Sequence, residues 1–370
     1  MKIDFANLQA QYQKYKDDID TRIHAVLNKS NYIMGEEVKQ LETELSAFSG
    51  TKHTITCSNG TDALLLAMMA LDIQPGDEVI TTPFTFISTA ETIASMKAKP
   101  VFVDIESDTF NIDANLIEAA ITDKTKAIMP VSLFGQPADM NAIQAVAEKY
   151  HLKVIIDGAQ SFGSTYNGKT DSNLGDISTT SFFPSKPLGC YGDGGAVFTN
   201  NDEYAEKIKM IRVHGQNKRY HYKYIGVNSR LDSVQAAILN VKLKHLDSYN
   251  TSRIDAANYY DKCFSDCDQI ITPKRADFST HVFHQYTLII KNINRDKLSA
   301  HLQNLGIPFG VYYPTPLHQQ VPYSDDRFKE EHFLVTNMLC KAVLSLPMHT
   351  ELSTHQMDYI SNIIIDFINE

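Results

Sequence analysis

Three stretches of this chain hold side chains whose types and surroundings could do chemistry. In "SNGTDALLLAMMAL", residues 58–71, a strand-like run has just ended at Cys57, Gly60 lets the backbone turn, and Thr61 opens an apolar helix. The amides of Thr61 and Asp62 would point outward unpaired, with the positive end of the helix dipole behind them, which suits a phosphate. Thr61 adds a hydroxyl donor. In "KVIIDGAQSFG", Asp157 ends an apolar strand pattern and belongs at the carboxyl edge of a sheet, where open α/β folds bind ligands. A carboxylate there is partly desolvated and wants a cationic partner. In "TTSFFPSKPLGCYGDGGAVFTN", Lys186 stands between Pro184 and Pro187, with Phe182 and Phe183 before it and a burst of glycine after it. Its ammonium would lose solvation there, which lowers a lysine's pKa and makes it a usable nucleophile.

Each stretch taken alone has an ordinary counterpart. Ser58 or Asn59 could simply cap the helix, Asp157 could form a cap or a structural ion pair, and Lys186 could snorkel to the surface. Together they suit one cofactor. Pyridoxal phosphate carries a phosphate, a ring nitrogen that works best protonated, and an aldehyde that a lysine captures as a Schiff base. An Asp about 4 Å from the pyridinium would favour its charge by about 4 kcal/mol at an effective dielectric near 20, or about three pKa units. The prolines and glycines would then fix a lysine that has to meet one carbon.

A competing motif is removed by its context. Residues 163–170, "GSTYNGKT", match the phosphate-loop pattern G-x-x-x-x-G-K-[ST]. That pattern works only where a helix starts just after the lysine. Here "DSNLGDISTT" follows without an apolar helical stripe, and Asn167-Gly168 favours a two-residue hairpin turn.

The elements that must position these residues follow from periodicity. Two amphipathic helical stretches open the chain, at about residues 10–28 and in "EEVKQLETELSAFSG", where Gly50 is a stop. "HTITCS", "DEVITTP", "KPVFVDI", "AIMPVSL" and "KVIID" read as strands, alternating with helical patterns at "GTDALLLAMMAL", "ISTAETIASM", 113–121 and 138–150. Such alternation predicts a mostly parallel sheet, of a seven-stranded type, with helices on both faces. "ISTTSFF" and "GAVFTN" are further strands without a full helix between them, followed by helices at 202–212 and 232–265. The last third carries a strand, "HQYTLII", a helix, "RDKLSAHLQNLG", an aromatic-proline loop, "VYYPTPLHQQVPY", and a helical pattern at 355–368. The expected fold is α/β: a large domain over residues 1–245 and a smaller α+β domain over 246–370.

Bulk properties set further expectations. The 370 residues carry a formal net charge of −10, which argues against a dedicated nucleic-acid binder. No apolar run approaches the roughly 20 residues of a membrane span. The opening "MKIDFANLQAQYQKYKDD" turns polar too early for a secretory signal, so a cytoplasmic protein is expected. The five scattered cysteines suggest reduced thiols. Cys263 and Cys267, four apart, would share a helix face, but no His or Cys pair completes a metal site, and no metal is expected.

Beyond these readings, the sequence resembles the DegT-type nucleotide-sugar aminotransferases, of the aspartate-aminotransferase fold class (pyridoxal-phosphate fold type I), over essentially its full length. The stretches that carry the resemblance are "GTDALLLA", "GDEVITTPFTFISTAETI", "DGAQSFG", "SFFPSKPLGCYGDGGA", "GVNSRLDSVQAAIL" and "YYPTPLH", in the family's order and spacing. The resemblance implies that Lys186 forms the Schiff base and shuttles the proton, that Asp157 pairs with the ring nitrogen, and that Gln160 contacts the ring hydroxyl. It implies that Phe86 stacks on the ring and that Thr61, Asp62 and Ser181, at the turn made by Gly60, hold the phosphate. Asn228 would reach the phosphate in the neighbouring subunit, making the enzyme an obligate homodimer with shared active sites. The family often has Ala or a second acid beside the Asp; this chain has "IIDGAQ", with the small Gly158.

Within the family, "SFFPSKPLGCYGDGGA", "HGQNKRYHYKYIGVNSRLD" and "SLPMH" most resemble the branch that aminates UDP-2-acetamido-2-deoxy-3-oxo-glucuronate, with L-glutamate as donor, for surface polysaccharides such as the O-antigen of lipopolysaccharide. Such a substrate brings a diphosphate and a carboxylate to an acidic protein, so local cations must offset the global field. Lys218, Arg219, His221, Lys223 and Arg230 are near enough in sequence to do so. Lys218 and Lys223 read better as solvated, and Arg230, two residues from Asn228, is the candidate anion contact. His318 lies in a loop that the family folds over the sugar, and Tyr313 lines the pocket; both, like His214, could be structural. Rival readings are a sibling aminotransferase for a 4-keto-6-deoxy or 3-keto-6-deoxy nucleotide sugar, a pyridoxamine-dependent sugar dehydratase, which would have histidine in place of Lys186, and a regulatory protein that binds cofactor or nucleotide without turnover.

Overall fold

The computed structural model describes residues 2–369. Helices α1 (Leu8–Lys14), α2 (Lys16–Lys29) and α3 (Glu36–Ser49) open the chain, the predicted first helix being broken at Tyr15. A seven-stranded sheet follows, built from β1 (His53–Cys57), β2 (Glu78–Thr81), β3 (Lys99–Phe102), β4 (Thr125–Ile128), β5 (Lys153–Asp157), β6 (Ile177–Ser181) and β7 (Gly195–Thr199). Its order is β1-β7-β6-β5-β4-β2-β3. Pairing is parallel from β3 through β6, while β7 runs antiparallel to both β6 and β1. The reversal has a simple cause. Parallel neighbours need a crossover, usually a helix, whereas β6 and β7 are joined only by the proline- and glycine-rich Lys186 loop.

Helices α4 (Gly60–Ala70), α5 (Ile87–Ser95), α6 (Met140–Tyr150) and α7 (Asp202–Ile211) cover the sheet. Adjacent strand residues face opposite cores, because side chains alternate along a strand. Val79, Ile155, Ile177 and Val197 pack with Leu66, Met68 and Ile208 on one face. Ile80, Ile128, Val154 and Ile156 pack with Ile143 and Ala147 on the other. Full burial of each such side chain stabilises by about 1.5–3 kcal/mol, and both faces being dry explains why these strands read as near-continuous apolar runs.

The long helical run resolves into α8 (Ser233–Lys242) and α9 (Leu246–Cys263), separated by a 3-10 turn at Leu243–His245. Beyond α8 a second core forms around a three-stranded antiparallel sheet of β8 (Ile270–Ile271), β9 (Tyr286–Ile290) and β10 (Val343–Leu346). Leu288, Leu344 and Leu346 pack there with Tyr260 of α9, with Leu298 and Leu302 of α10 (Arg295–Asn304) and with Ile3. Helix α11 (Leu334–Ala342) and strands β8 and β10 are absent from the sequence reading; α12 (Thr354–Asn369) closes the chain where a helix is expected.

The phosphate-loop lookalike is a hairpin. Thr165–Tyr166 pairs with Lys169–Thr170 across Asn167 (φ 46°) and Gly168 (φ 81°), and only a 3-10 turn, Asp171–Asn173, comes after it. Left-handed backbone at both turn positions is what a type I′ hairpin requires, and no helix N-terminus follows Lys169 to face a phosphate.

Candidate active site

The carboxyl ends of β1, β2, β5 and β6 lie on one edge of the sheet, so the turns after Cys57, Thr81, Asp157 and Ser181 share that edge. At its β1 end, α4 starts against β6. A Cβ added to Gly60 would stand 2.6 Å from the Cβ of Ser181, closer than real side chains approach, so the helix N-terminus touches Ser181 only because position 60 is glycine. Asn59 caps α4 by accepting from the Asp62 amide at 2.8 Å. The expectation of a free Asp62 amide is therefore corrected: a nearby side-chain oxygen satisfies it first. The Asp62 carboxylate accepts from the Ser58 hydroxyl, and Thr61 Oγ1 lies 2.8 Å from Ser88 Oγ. The first intrahelical bond is Ala63 N to Asn59 O, 3.1 Å, leaving the amides of Gly60 and Thr61 ahead of the hydrogen-bonded ladder.

Asp157 is buried at the end of β5. Thr89, half a turn into α5, donates its hydroxyl to Asp157 Oδ2 at 2.8 Å, and the Ala159 amide donates to Oδ1 at 3.3 Å. Burial raises this carboxyl's pKa, opposed by those two bonds and by the charge of Lys186. Lys186 shows the complementary effect: burial pushes its ammonium down to about 8, and the charge of Asp157 pulls the other way. A lysine so lowered is unprotonated about one time in ten at pH 7, several hundredfold more often than an ordinary lysine, and can act as a nucleophile.

Gln160 accepts from the Phe134 amide at 2.8 Å and donates to the Tyr313 hydroxyl at 3.3 Å, which brings the aromatic-proline loop to the Asp157 turn. Tyr313 packs edge-on against Phe84, with ring centroids 5.9 Å apart. Phe86, two residues on, leaves 56% of its surface exposed, an uncovered aromatic face at the sheet edge that also bears Asp157.

Two participants escaped the sequence reading. Thr89 is one; its signal would be a hydroxyl on the inner face of the helix after β2. The other is His284, buried just before β9, whose pKa is driven well below the ordinary range by burial and by the charges of Lys186 and Arg253. It therefore stays a neutral imidazole, near enough to Lys186 to feel its charge.

The remaining candidates are placed differently. Asn228 is exposed and Arg230 half-buried, and the Ser229 between them is buried, with its hydroxyl 3.1 Å from that of Ser58. Their loop is thus tied to the turn before α4. Lys218, Arg219, His221 and Lys223 are exposed on a hairpin, and His214 is exposed as well. His318 is buried, stacks on Phe333 at 4.2 Å, and has neither ring nitrogen hydrogen-bonded; Leu317 next to it donates to the Pro83 carbonyl at 2.9 Å. Among the described residues no cluster of His, Cys, Asp and Glu could hold a metal, and no helix is long and apolar enough to cross a membrane.

This arrangement fits pyridoxal phosphate. Gly60, Thr61 and Ser181 form a cradle that a Cβ at position 60 would fill, Asp157 is a buried carboxyl on the same edge, and Lys186 is a desolvated amine close enough to feel its charge. When bound, the cofactor supplies an electron sink that stabilises negative charge on a carbon attached to nitrogen. The chain's own part would be to keep the ring nitrogen protonated through Asp157 and to carry a proton on Lys186 Nζ.

Known proteins agree with that fit. The chain is 49% identical over 97% of its length, and 98% of the relative's, to the UDP-2-acetamido-2-deoxy-3-oxo-D-glucuronate aminotransferase of Pseudomonas aeruginosa. It is 47% identical over 99% of both chains to a protein of Geobacillus stearothermophilus named a pleiotropic regulatory protein. The solved structure of NtdA from Bacillus subtilis, with its cofactor pyridoxamine phosphate bound, superposes with a TM-score of 0.90 at 31% identity, covering 96% of this chain and 82% of that one. The profile of the DegT/DnrJ/EryC1/StrS aminotransferases matches residues 13–365, and the chain belongs to that family of pyridoxal-phosphate-dependent sugar aminotransferases.

Proposed function

We propose that the protein moves the amino group of L-glutamate to the 3-keto carbon of a UDP-linked acetamido sugar acid, of the UDP-2-acetamido-2-deoxy-3-oxo-glucuronate type, for a surface polysaccharide such as an O-antigen. The observation that carries the reading is the Asn228–Arg230 loop, tied through Ser229 to the turn beside the phosphate cradle and presenting a half-buried guanidinium with no carboxylate partner among the described residues. A guanidinium there suits a carboxylate or diphosphate on the acceptor. The likeness to the Pseudomonas enzyme supports the same acceptor.

In this reading Lys186 is the covalent amine and proton carrier, Asp157 the ring-nitrogen partner, Gln160 the neighbour of the ring hydroxyl and Phe86 the stacking face. Gly60, Thr61 and Ser181 hold the phosphate, with Asp62 bracing the turn through Ser58. Asn228 of the partner subunit completes the site in a cytoplasmic homodimer, while His318 and Tyr313 close over the sugar. The division into domains at residue 245 falls on the 3-10 turn between α8 and α9.

The test is a half-reaction followed by absorbance. Glutamate should bleach the band of lysine-bound cofactor, and the 3-oxo-glucuronate nucleotide should restore it faster than a 4-keto-6-deoxy or 3-keto-6-deoxy nucleotide. Faster restoration by a 6-deoxy sugar would transfer the assignment to that sibling activity. The Geobacillus relative's name favours one other reading, a cofactor-binding regulator. A band untouched by glutamate and other amino donors would select it.

A further inference from the structure

We infer that Lys242, together with Gln235, is a positioning residue that holds the Lys186 loop from beneath. This rests on Lys186 being the reactive amine. Lys242 is the last residue of α8 and is 1% exposed. Its Nζ donates to the Gly189 carbonyl and lies 5.3 Å from the centre of the Tyr191 ring. It forms no ion pair among the described residues, and burial, helped by the charge of Arg253, pushes its ammonium down to about 8.

Burying an ammonium without a carboxylate is expensive, and an apolar side chain of similar length would fill the same space at less cost. What only an amine on a long stem provides is a donor that reaches the backbone of the loop. Gln235 lies seven residues earlier on the same helical face. It accepts from the Tyr191 amide at 2.9 Å and donates to the Tyr191 carbonyl at 3.3 Å.

The other leg of the loop is fixed from the sheet. Phe182, next to β6, donates to the Gly194 carbonyl at 2.7 Å and accepts from Cys190 at 2.8 Å, while the Lys186 amide donates to the Phe183 carbonyl at 2.8 Å. The loop is therefore gripped on one leg by β6 and on the other, at residues 189 and 191, by one face of α8. Lys186 stands between the two grips. Displacing a reacting group by about 1 Å costs about 100-fold in rate, so loosening the second grip acts on turnover without touching substrate.

The test uses the full-length, cofactor-loaded protein. Lys242→Met should lower kcat about 10- to 100-fold with the KM for the amino donor nearly unchanged. It should also speed amide hydrogen exchange at Lys186, Cys190 and Tyr191 by about tenfold relative to β5 and β6, and shift the pH titration of the lysine-bound cofactor's visible band. Lys242→Arg, which keeps a donor, should recover part of each effect. Unchanged exchange at those amides, or parental kcat per bound cofactor, would overturn the inference. Should Lys242→Met fail to fold, Gln235→Ala decides by the same measurements, with accelerated exchange at Tyr191 expected and parental behaviour in both readouts refuting. A parental chain with no visible band would instead refute the Lys186 assignment, and exchange would still decide the clamp.

Discussion

Gly60 and Ser181 meet where no side chain can stand between them: a Cβ on Gly60 would lie 2.6 Å from the Cβ of Ser181 and 3.1 Å from its hydroxyl. The contact joins the N-terminus of α4 to the end of β6, two elements far apart in sequence, and it brings a hydroxyl to the same point as the helix's leading amides. Gly60→Ala should force these apart. A destabilisation of about 1–3 kcal/mol is expected from overpacking, together with weaker cofactor retention because the phosphate cradle is split. Urea unfolding and cofactor titration check the two effects separately, and an Ala variant that retained cofactor as tightly as the parent would remove the cradle from this contact.

Thr89→Val tests how Asp157 is kept ionised in a buried setting. The hydroxyl removed is the one that donates to Asp157 Oδ2 at 2.8 Å, and that bond is the largest influence opposing the burial-driven rise in the carboxyl's pKa. Hydrogen bonds to charged groups contribute about 1.5–3 kcal/mol, so the variant should bind pyridoxal phosphate about tenfold more weakly or worse, with a protonated ring favoured over a narrower pH range. Titration of the stripped protein followed by visible absorbance gives the number. An unchanged dissociation constant would mean that Asp157 does not depend on this donor.

Lys186 gives stability a pH dependence of definite sign once the cofactor has been stripped. The amine titrates near 10.5 when unfolded and near 8 when folded, because burial disfavours the charged form. Between those values the unfolded chain binds more protons than the folded one, so this group makes the protein more stable as pH rises through that window. Lys186→Met lacks the group. The variant's stability advantage over the stripped parent should be greatest below about pH 8 and shrink toward about pH 10.5, measured by urea unfolding at several pH values. A constant gap would show that the amine is solvated in the folded state.

What the sequence revealed of this site, and what it concealed, follows the range of the interactions. The Asn167-Gly168 turn, the stop at Gly50 and the place of Asp157 at a strand end were legible because each depends on a few consecutive residues. Asn59 as a cap was equally local, but whether it or a ligand would take the Asp62 amide depended on a side-chain rotamer that no spacing encodes. Thr89 bonding Asp157 and Gln160 bonding Tyr313 span 68 and 153 residues, and nothing near either partner marks the pair. Helix α11 and strand β10 form from runs too short to show a period, and they exist because Leu344 and Leu346 fill the second core while Leu339 and Val343 pack with Phe84 and Phe134.

Asn228 offers the sharpest test of a shared site. Its loop is anchored in its own chain through Ser229 and Ser58, yet Asn228 itself is exposed, so its amide is free to reach a neighbouring chain. Asn228→Ala should retain cofactor poorly and Lys186→Ala should be inactive. Co-expressed in equal amounts, the two variants yield mixed dimers in which one site has both defects and the other has neither, provided that Asn228 acts across the interface. Random pairing then restores about one quarter of parental sites. If Asn228 serves its own chain, every site in the mixture carries a single defect, half of them the lost lysine, and activity per total protein falls to about half the level of the Asn228→Ala protein alone. The mixed population, compared with each variant by itself, therefore separates a shared site from a self-contained one without any knowledge of the sugar.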